Sequence, residues 1–266
     1  MTAVPAPHET PRATEDRTPR PAPPLRRILA HAALETRLIL SNGEQLMVAI
    51  VLPALVLIGL RLLPLGRIEG VPAIDTAVAA TLTTALISTS LTSQAILTGF
   101  DRRNGVLRWV ATTPLGRDGY LGGKILATLT THVLQVVVLG ILALILGWRP
   151  ELAGPLAAVP VWLIGTVAFG TLGLLIAGTL RTEAVLAVSN LVFLLLVAAG
   201  GVAFPTSTYP RVLGGLVDLL PSGALGELMR ACLASGPFSA GSLVVLLLWA
   251  VAGVFAVLRW FRWTDV

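Results

Sequence analysis

The side chains best placed to do chemistry lie between Phe100 and Lys124, in the run FDRRNGVLRWVATTPLGRDGYLGGK. Arg102, Arg103, Arg108, Arg117 and Lys124 crowd into it, between two long apolar stretches. Cations in that arrangement bind surfaces rather than break bonds, and a basic connection between apolar spans belongs on the cytoplasmic side of a membrane. The spacing predicts a short helix over 101–112. Asp101 would stand near its start, where an acid suits the positive end of the helix dipole. Val106, Trp109 and Val110, at i, i+3 and i+4, would share one face, with Arg102 and Arg103 on others. Pro114 would end the helix, since the residue before a proline avoids the α region. An amphipathic helix on a tight loop is shaped to dock with something cytosolic. A plain solvated basic loop, held by the charge bias of membrane proteins, has the same composition.

A second set of polar side chains lies inside the apolar runs. Thr84, Ser88 and Thr92 belong to the uncharged stretch 76–100, which is dense in Ser and Thr. His132 and Gln135, three apart, share a face of the next run. Polar groups within a span are candidates for a substrate path. Hydroxyls and small residues equally serve close helix packing, so both readings stand for these five residues.

No bond-making constellation accompanies them. His8, His31 and His132 are far apart and have no cysteines beside them, which excludes a metal or haem ligand set of the usual kind. Cys232 is the single cysteine, so no intramolecular disulfide can form. The phosphate loop GxxxxGKS/T, the GxSxG elbow and the HExxH helix are all absent. The chain is therefore read as non-enzymatic, with no cofactor of its own. No Asp or Glu stands mid-span, which argues against a proton- or ion-coupled carrier. Energy for transport would come from outside the chain.

The elements that must position these residues follow from the apolar pattern. Hydrophobic residues make up 55% of the sequence, charged residues 12%, and the mean hydropathy is +0.84. A soluble domain carries about 25% charged residues, so the fold class is an all-α polytopic membrane protein. The net charge of +5 is no nucleic-acid signal, because the cations are scattered between spans. Residues 1–24 read as a disordered cytosolic tail, and 25–266 as one membrane domain. Over 25–43, Leu25, Ile28, Leu29, Ala32 and Ala33 line one face of a helix lying along the membrane surface, with Glu35 elsewhere and His31 facing outward. Six spans follow, at about 45–63, 76–100, 120–147, 155–180, 184–204 and 239–258. Pro53 would kink the first. Within 205–238, two apolar stretches are each too short to cross, and they read as short helices that dip into the outer leaflet and return. With both termini inside, the outer segments hold only Arg61, Arg67, Arg149, Arg211 and Arg230 of the 19 cationic side chains.

The segment 100–124 also resembles a family. Asp101, Arg102, Gly105-Val106-Leu107, Thr113-Pro114 and Gly123-Lys124 are similar to the intracellular coupling-helix region of type-2 ABC exporter permeases. Arg103 stands where that family usually has Glu, and Val106 where it often has Thr. The resemblance implies a permease moved by a separate cytosolic ABC ATPase, which would bind the ATP and magnesium. It implies a second permease chain, identical or related, and re-entrant helices before the last span. The contact residues it implies are Asp101, Arg102, Arg103, Asn104, Gly105, Leu107, Arg108, Trp109, Thr113 and Pro114.

The resulting expectation is a multi-pass protein of the cytoplasmic (inner) membrane. It would export a hydrophobic or amphipathic compound, such as a drug, antibiotic or lipid-like molecule, in the manner of multidrug efflux and antibiotic resistance. A non-transporting scaffold whose basic loop holds a partner or anionic lipid is the alternative. Export of a polysaccharide or glycolipid is another.

Overall fold

The computed structural model describes residues 21–41, 43–62, 67–68, 71–202 and 205–263. The expected tail falls outside the described residues as far as residue 20, and Pro24 already begins a helix. That helix, α1 (Pro24–Ser41), is followed by α2 (Gly43–Leu46), a π-helical turn (Met47–Val51) and α3 (Leu52–Leu62). A two-residue antiparallel ribbon, β1 (Arg67–Ile68) and β2 (Val71–Pro72), leads into α4 (Ala73–Ile87). A second π turn (Ser88–Ser93) joins α4 to α5 (Gln94–Arg103), and a short helix α6 (Val106–Thr112) comes next. Three long helices follow: α7 (Gly116–Ile145), α8 (Ala153–Thr179) and α9 (Thr182–Ala199). The order closes with α10 (Arg211–Asp218), α11 (Pro221–Leu233) and α12 (Ala240–Trp260).

Among the described residues, five helices are long and apolar enough to cross a membrane: Ala73–Arg103, Gly116–Ile145, Ala153–Thr179, Thr182–Ala199 and Ala240–Trp260. The first expected span, 45–63, differs from the rest. Its apolar helix is Ala49–Leu62, shorter than the other five. α10 and α11 qualify only together, as a pair bent by 87°.

The helix Ala73–Arg103 is the most deeply buried of the five. Its small side chains make that possible. Thr83 and Thr84 donate their hydroxyls to the Ala79 and Ala80 carbonyls at 2.7 and 2.8 Å, so they present methyls to their neighbours. α8 crosses its π turn closely enough that a Cβ on Gly173 would stand 2.5 Å from the Leu91 carbonyl oxygen. Leu86, Leu91, Phe169, Leu225 and Met229 form the centre of the core, shared by α4, α8 and α11.

Pro53 explains the first helix's irregularity. Proline has no N–H to offer the carbonyl four residues back, which is that of Ala49. Gln135 Nε2, from α7, donates to that carbonyl at 2.8 Å instead.

The packing of α1 corrects the sequence reading at His31, which faces α7 rather than outward. Leu25 and Leu29 are 66% and 51% exposed, whereas Ala32, Glu35 and Ile39 are buried. α1 lies along the first half of α7, and it comes so near that a Cβ on Gly123 would collide with the His31 ring. Glu35 lies on this inward face, where it meets the buried Lys124, and Leu25 and Leu29 stay on the outer side, free to lie against lipid.

Candidate functional site

The expected single helix over 101–112 is two helices. Asp101, Arg102 and Arg103 are the last turn of α5, and α6 starts only at Val106. Gly105 makes the break, with φ +75°, a left-handed conformation that costs an L side chain energy and glycine little. Asn104 caps α5, its N–H donating to the Phe100 carbonyl at 2.9 Å. Asp101 therefore sits at the negative end of a helix dipole, opposite to its expected place. Local cations and donors compensate. Lys124 Nζ lies 2.7 Å from Asp101 Oδ2, and the Tyr120 hydroxyl donates to the same oxygen at 2.6 Å.

The faces of α6 also differ from expectation. Leu107 and Val110 point inward and are fully buried, with Val106 half-buried beside them, while Trp109 is 68% exposed. Leu107, expected among the partner contacts, is instead the seat of the helix. Arg102 is likewise buried, donating to the Leu180 carbonyl. Arg103, Asn104, Arg108, Trp109 and Pro114 remain on the surface. Arg103 reaches Glu183 at 3.3 Å, an exposed pair of little energetic weight. Thr113 is extended at φ −92°, ψ 161°, as a residue before proline must be, and its hydroxyl donates to the Val110 carbonyl at 2.8 Å.

Beneath α6 is a socket of Leu107, Val110 and Tyr120, with Leu115, Leu121, Phe261 and Trp263 packed around it. Its far wall is the chain that follows α12. Arg262 N–H donates to the Gly178 carbonyl at 3.2 Å, which folds that segment back under the bundle. Trp263 meets Tyr120 edge-on at 6.3 Å and Phe261 at 5.1 Å, and the Arg117 guanidinium stacks 5.0 Å above its ring.

Lys124 ties this socket to α1. Its ammonium is buried, 2.9 Å from Glu35 Oε2 as well as 2.7 Å from Asp101, and 5.3 Å above the Tyr120 ring. His31 stacks on the other side of the group, 5.3 Å from Tyr120, with Nε2 3.8 Å from Glu35 Oε1. Burial holds its imidazole below the ordinary 6.5; Glu35 and Asp101 oppose the shift and Lys124 adds to it. Glu35, His31, Tyr120 and Trp263 escaped the sequence reading as members of this site. The signals were present: His31 and Glu35 lie one helical turn apart, and the Gly122-Gly123 pair before Lys124 clears room for another helix.

The polar residues of the spans form a different group. Trp162 Nε1–H donates to His132 Nδ1 at 3.0 Å, so that nitrogen is an acceptor and the ring carries its proton on Nε2, facing Ser90 Oγ at 3.3 Å. Thr166 Oγ1 is 3.2 Å from His132 Nδ1. Gln135 also donates to Thr89 Oγ1 at 2.8 Å. His132, Gln135 and Thr92 are buried in helix packing, and Thr84 and Ser88 stand half-exposed one turn apart on the central helix. None of the five lines the main cavity, of about 650 Å³, which lies beside α10 and α11.

Within one chain, then, the basic end is a surface helix seated in an aromatic socket and cross-linked by a buried ion cluster to α1, α5 and α7. No curated protein matches the sequence. The family model of the ABC-2 type transporters matches residues 28–234, from α1 through α11, and the chain belongs to that family, as a membrane permease subunit of an ABC transporter.

Proposed function

We infer that this permease is an exporter moved by a separate cytosolic ATPase, and that α6 is the part the ATPase grips. The observation that carries the reading is the two-sidedness of α6. Its inner face is locked by Leu107 and Val110, while Arg108 and Trp109 face out beside Arg103 and Asn104. A helix with only its inner face anchored moves as a unit with α5 and α7, so a push on Trp109 is carried into two spans. The charge bias of the sequence puts this end, and both termini, on the cytoplasmic side. Two such chains would enclose the path, and of the five polar span residues named above the half-exposed Thr84 and Ser88 are the ones free to face it. The hydroxyl-rich, aliphatic spans suit a hydrophobic or amphipathic cargo.

The test is a pair of exposed substitutions, Arg108→Glu and Trp109→Ala, in cells that also carry the ATPase. Co-purification of the ATPase and its hydrolysis of ATP in the complex are measured. Loss of association with unchanged yield and monodispersity of the permease supports the reading. Full association and full ATPase activity in the double variant overturn it.

A further inference from the structure

The cavity of about 650 Å³ lies at the opposite end of the Ala73–Arg103 helix from the ion cluster. Thr76 in its wall is about 40 Å from Asp101 by the helical rise. A volume of this size is that of a site for one small organic molecule. The lining is divided. Val71, Leu219, Phe238 and Val245 give it an apolar side, and among the described residues Asp218, Glu227 and Arg230 carry its charges.

Those three charges do not cancel. Arg230 is buried and its guanidinium is occupied: Nη1 donates to the Val202 carbonyl at 2.9 Å, and Nη2 to the Gly201 carbonyl and Glu227 Oε1, each at 3.0 Å. Glu227 Oε1 also accepts the Thr206 N–H at 2.9 Å. This pair holds the chain after α9 against α11, and neither member is left over as net charge. Asp218, at the elbow between α10 and α11, is exposed and makes no ion pair among the described residues. The site therefore joins an unneutralised carboxylate to an apolar wall, with the exposed aromatic face of Phe238 beside it.

We propose that this cavity binds a hydrophobic cation, a small molecule with a quaternary or delocalised positive charge on an apolar body. Asp218 supplies the counter-charge, Phe238 a ring face for the cation, and Leu219 and Val245 the apolar contact. Under the orientation inferred above the cavity opens on the outer side, where it serves as a subsite for cargo leaving the permease; that purpose rests on the export reading, and the binding does not.

The experiment uses the purified full chain in lipid nanodiscs, without ATPase or nucleotide. Binding of tetraphenylphosphonium is compared with that of tetraphenylborate, an anion of nearly the same shape, each above protein-free nanodiscs. Saturable binding of the cation alone is expected. Asp218→Asn, at an exposed position, weakens it roughly fivefold, the upper range for a solvent-accessible ion pair. Ala231→Trp, which fills the cavity, abolishes it. Equal binding of the anion, or an unchanged affinity for the cation in Asp218→Asn, overturns the proposal. Loss of transport in cells with cation binding intact would count against the export reading and leave this site standing.

Discussion

Asp101 Oδ2 and Lys124 Nζ, from the two ends of the basic segment, lie 2.7 Å apart, and Glu35 Oε2 meets the same nitrogen at 2.9 Å. One buried ammonium thus joins α5, α7 and α1. Lys124→Met would leave two carboxylates facing each other with no counter-charge. Breaking a buried pair from one side costs about 3–5 kcal/mol, and the partial exposure of Asp101 puts the expected loss at the low end. The triple variant Lys124→Met, Asp101→Asn, Glu35→Gln has no orphaned charge and regains much of it. Thermal denaturation in detergent measures both. A triple variant no more stable than the single one would show that the cluster does not act through its charges.

The break at Gly105 predicts a residue-specific cost. Its φ of +75° is left-handed, so Gly105→Ala loses about 1–2 kcal/mol. Gly105→Asn loses less, because Asn enters that region more readily. Equal stability of the two variants and the wild type would mean that the turn relaxes to another conformation. The same substitutions tilt α6, so ATPase association is expected to fall in the same order.

The long spans were legible because uninterrupted apolar runs leave few alternatives to a membrane helix, and Pro114 was legible because it restricts Thr113 locally. The split at Asn104-Gly105 carried a signal of its own, since that dipeptide favours a helix end, but the apolar spacing of Val106, Trp109 and Val110 masked it. The role of Glu35 was hidden for a different reason. A charged residue on an amphipathic helix is assigned to water unless its partner is known, and Lys124 lies far along the chain. Leu107, expected as a contact, turned inward, and Trp109 parted from Val110, because the socket that selects between the faces of α6 includes Phe261 and Trp263, from the far end of the described chain. The 87° elbow between α10 and α11 was legible as a break between two short helices, but the cavity near Asp218 was not, because its walls come from segments far apart in the chain.

His31 makes stability depend on pH in a defined direction. Its imidazole is held below the ordinary 6.5 mainly by burial, so the folded chain binds fewer protons there than the unfolded one. That contribution is present above 6.5 and is lost as pH falls through the lowered folded value. The groups facing it are Glu35, Asp101, Lys124 and Tyr120. Between about pH 8 and pH 5 the wild type is expected to lose more thermal stability than His31→Gln. Parallel curves for the two proteins would exclude His31 as the titrating group.

Trp263 is expected to hold α6 from behind. Its edge contacts with Tyr120 and Phe261 and the stacked Arg117 guanidinium close the socket. An aromatic contact of this kind is worth about 1 kcal/mol beyond its buried area. Trp263→Ala should therefore raise hydrogen exchange of the α6 amides roughly fivefold and leave the central helix protected. If the α6 amides exchange as slowly as in the wild type, the segment after α12 lies against the socket without supporting it.

Gln135 and Pro53 are expected to be energetically coupled. Pro53 deprives the Ala49 carbonyl of its helical donor, and Gln135 Nε2 supplies one at 2.8 Å from a fully buried position. Gln135→Leu leaves that carbonyl and the Thr89 hydroxyl without this donor, at a cost of about 1–3 kcal/mol. Pro53→Ala restores a backbone N–H in the place where the carbonyl needs it. In the double variant the helix can close its own hydrogen bond, so Gln135→Leu should cost less there than in the wild type. The coupling energy from a double-mutant cycle decides the matter. Strict additivity would mean that Ala49 is satisfied in another way, and that Gln135 is kept buried for a purpose other than mending the helix Pro53 interrupts.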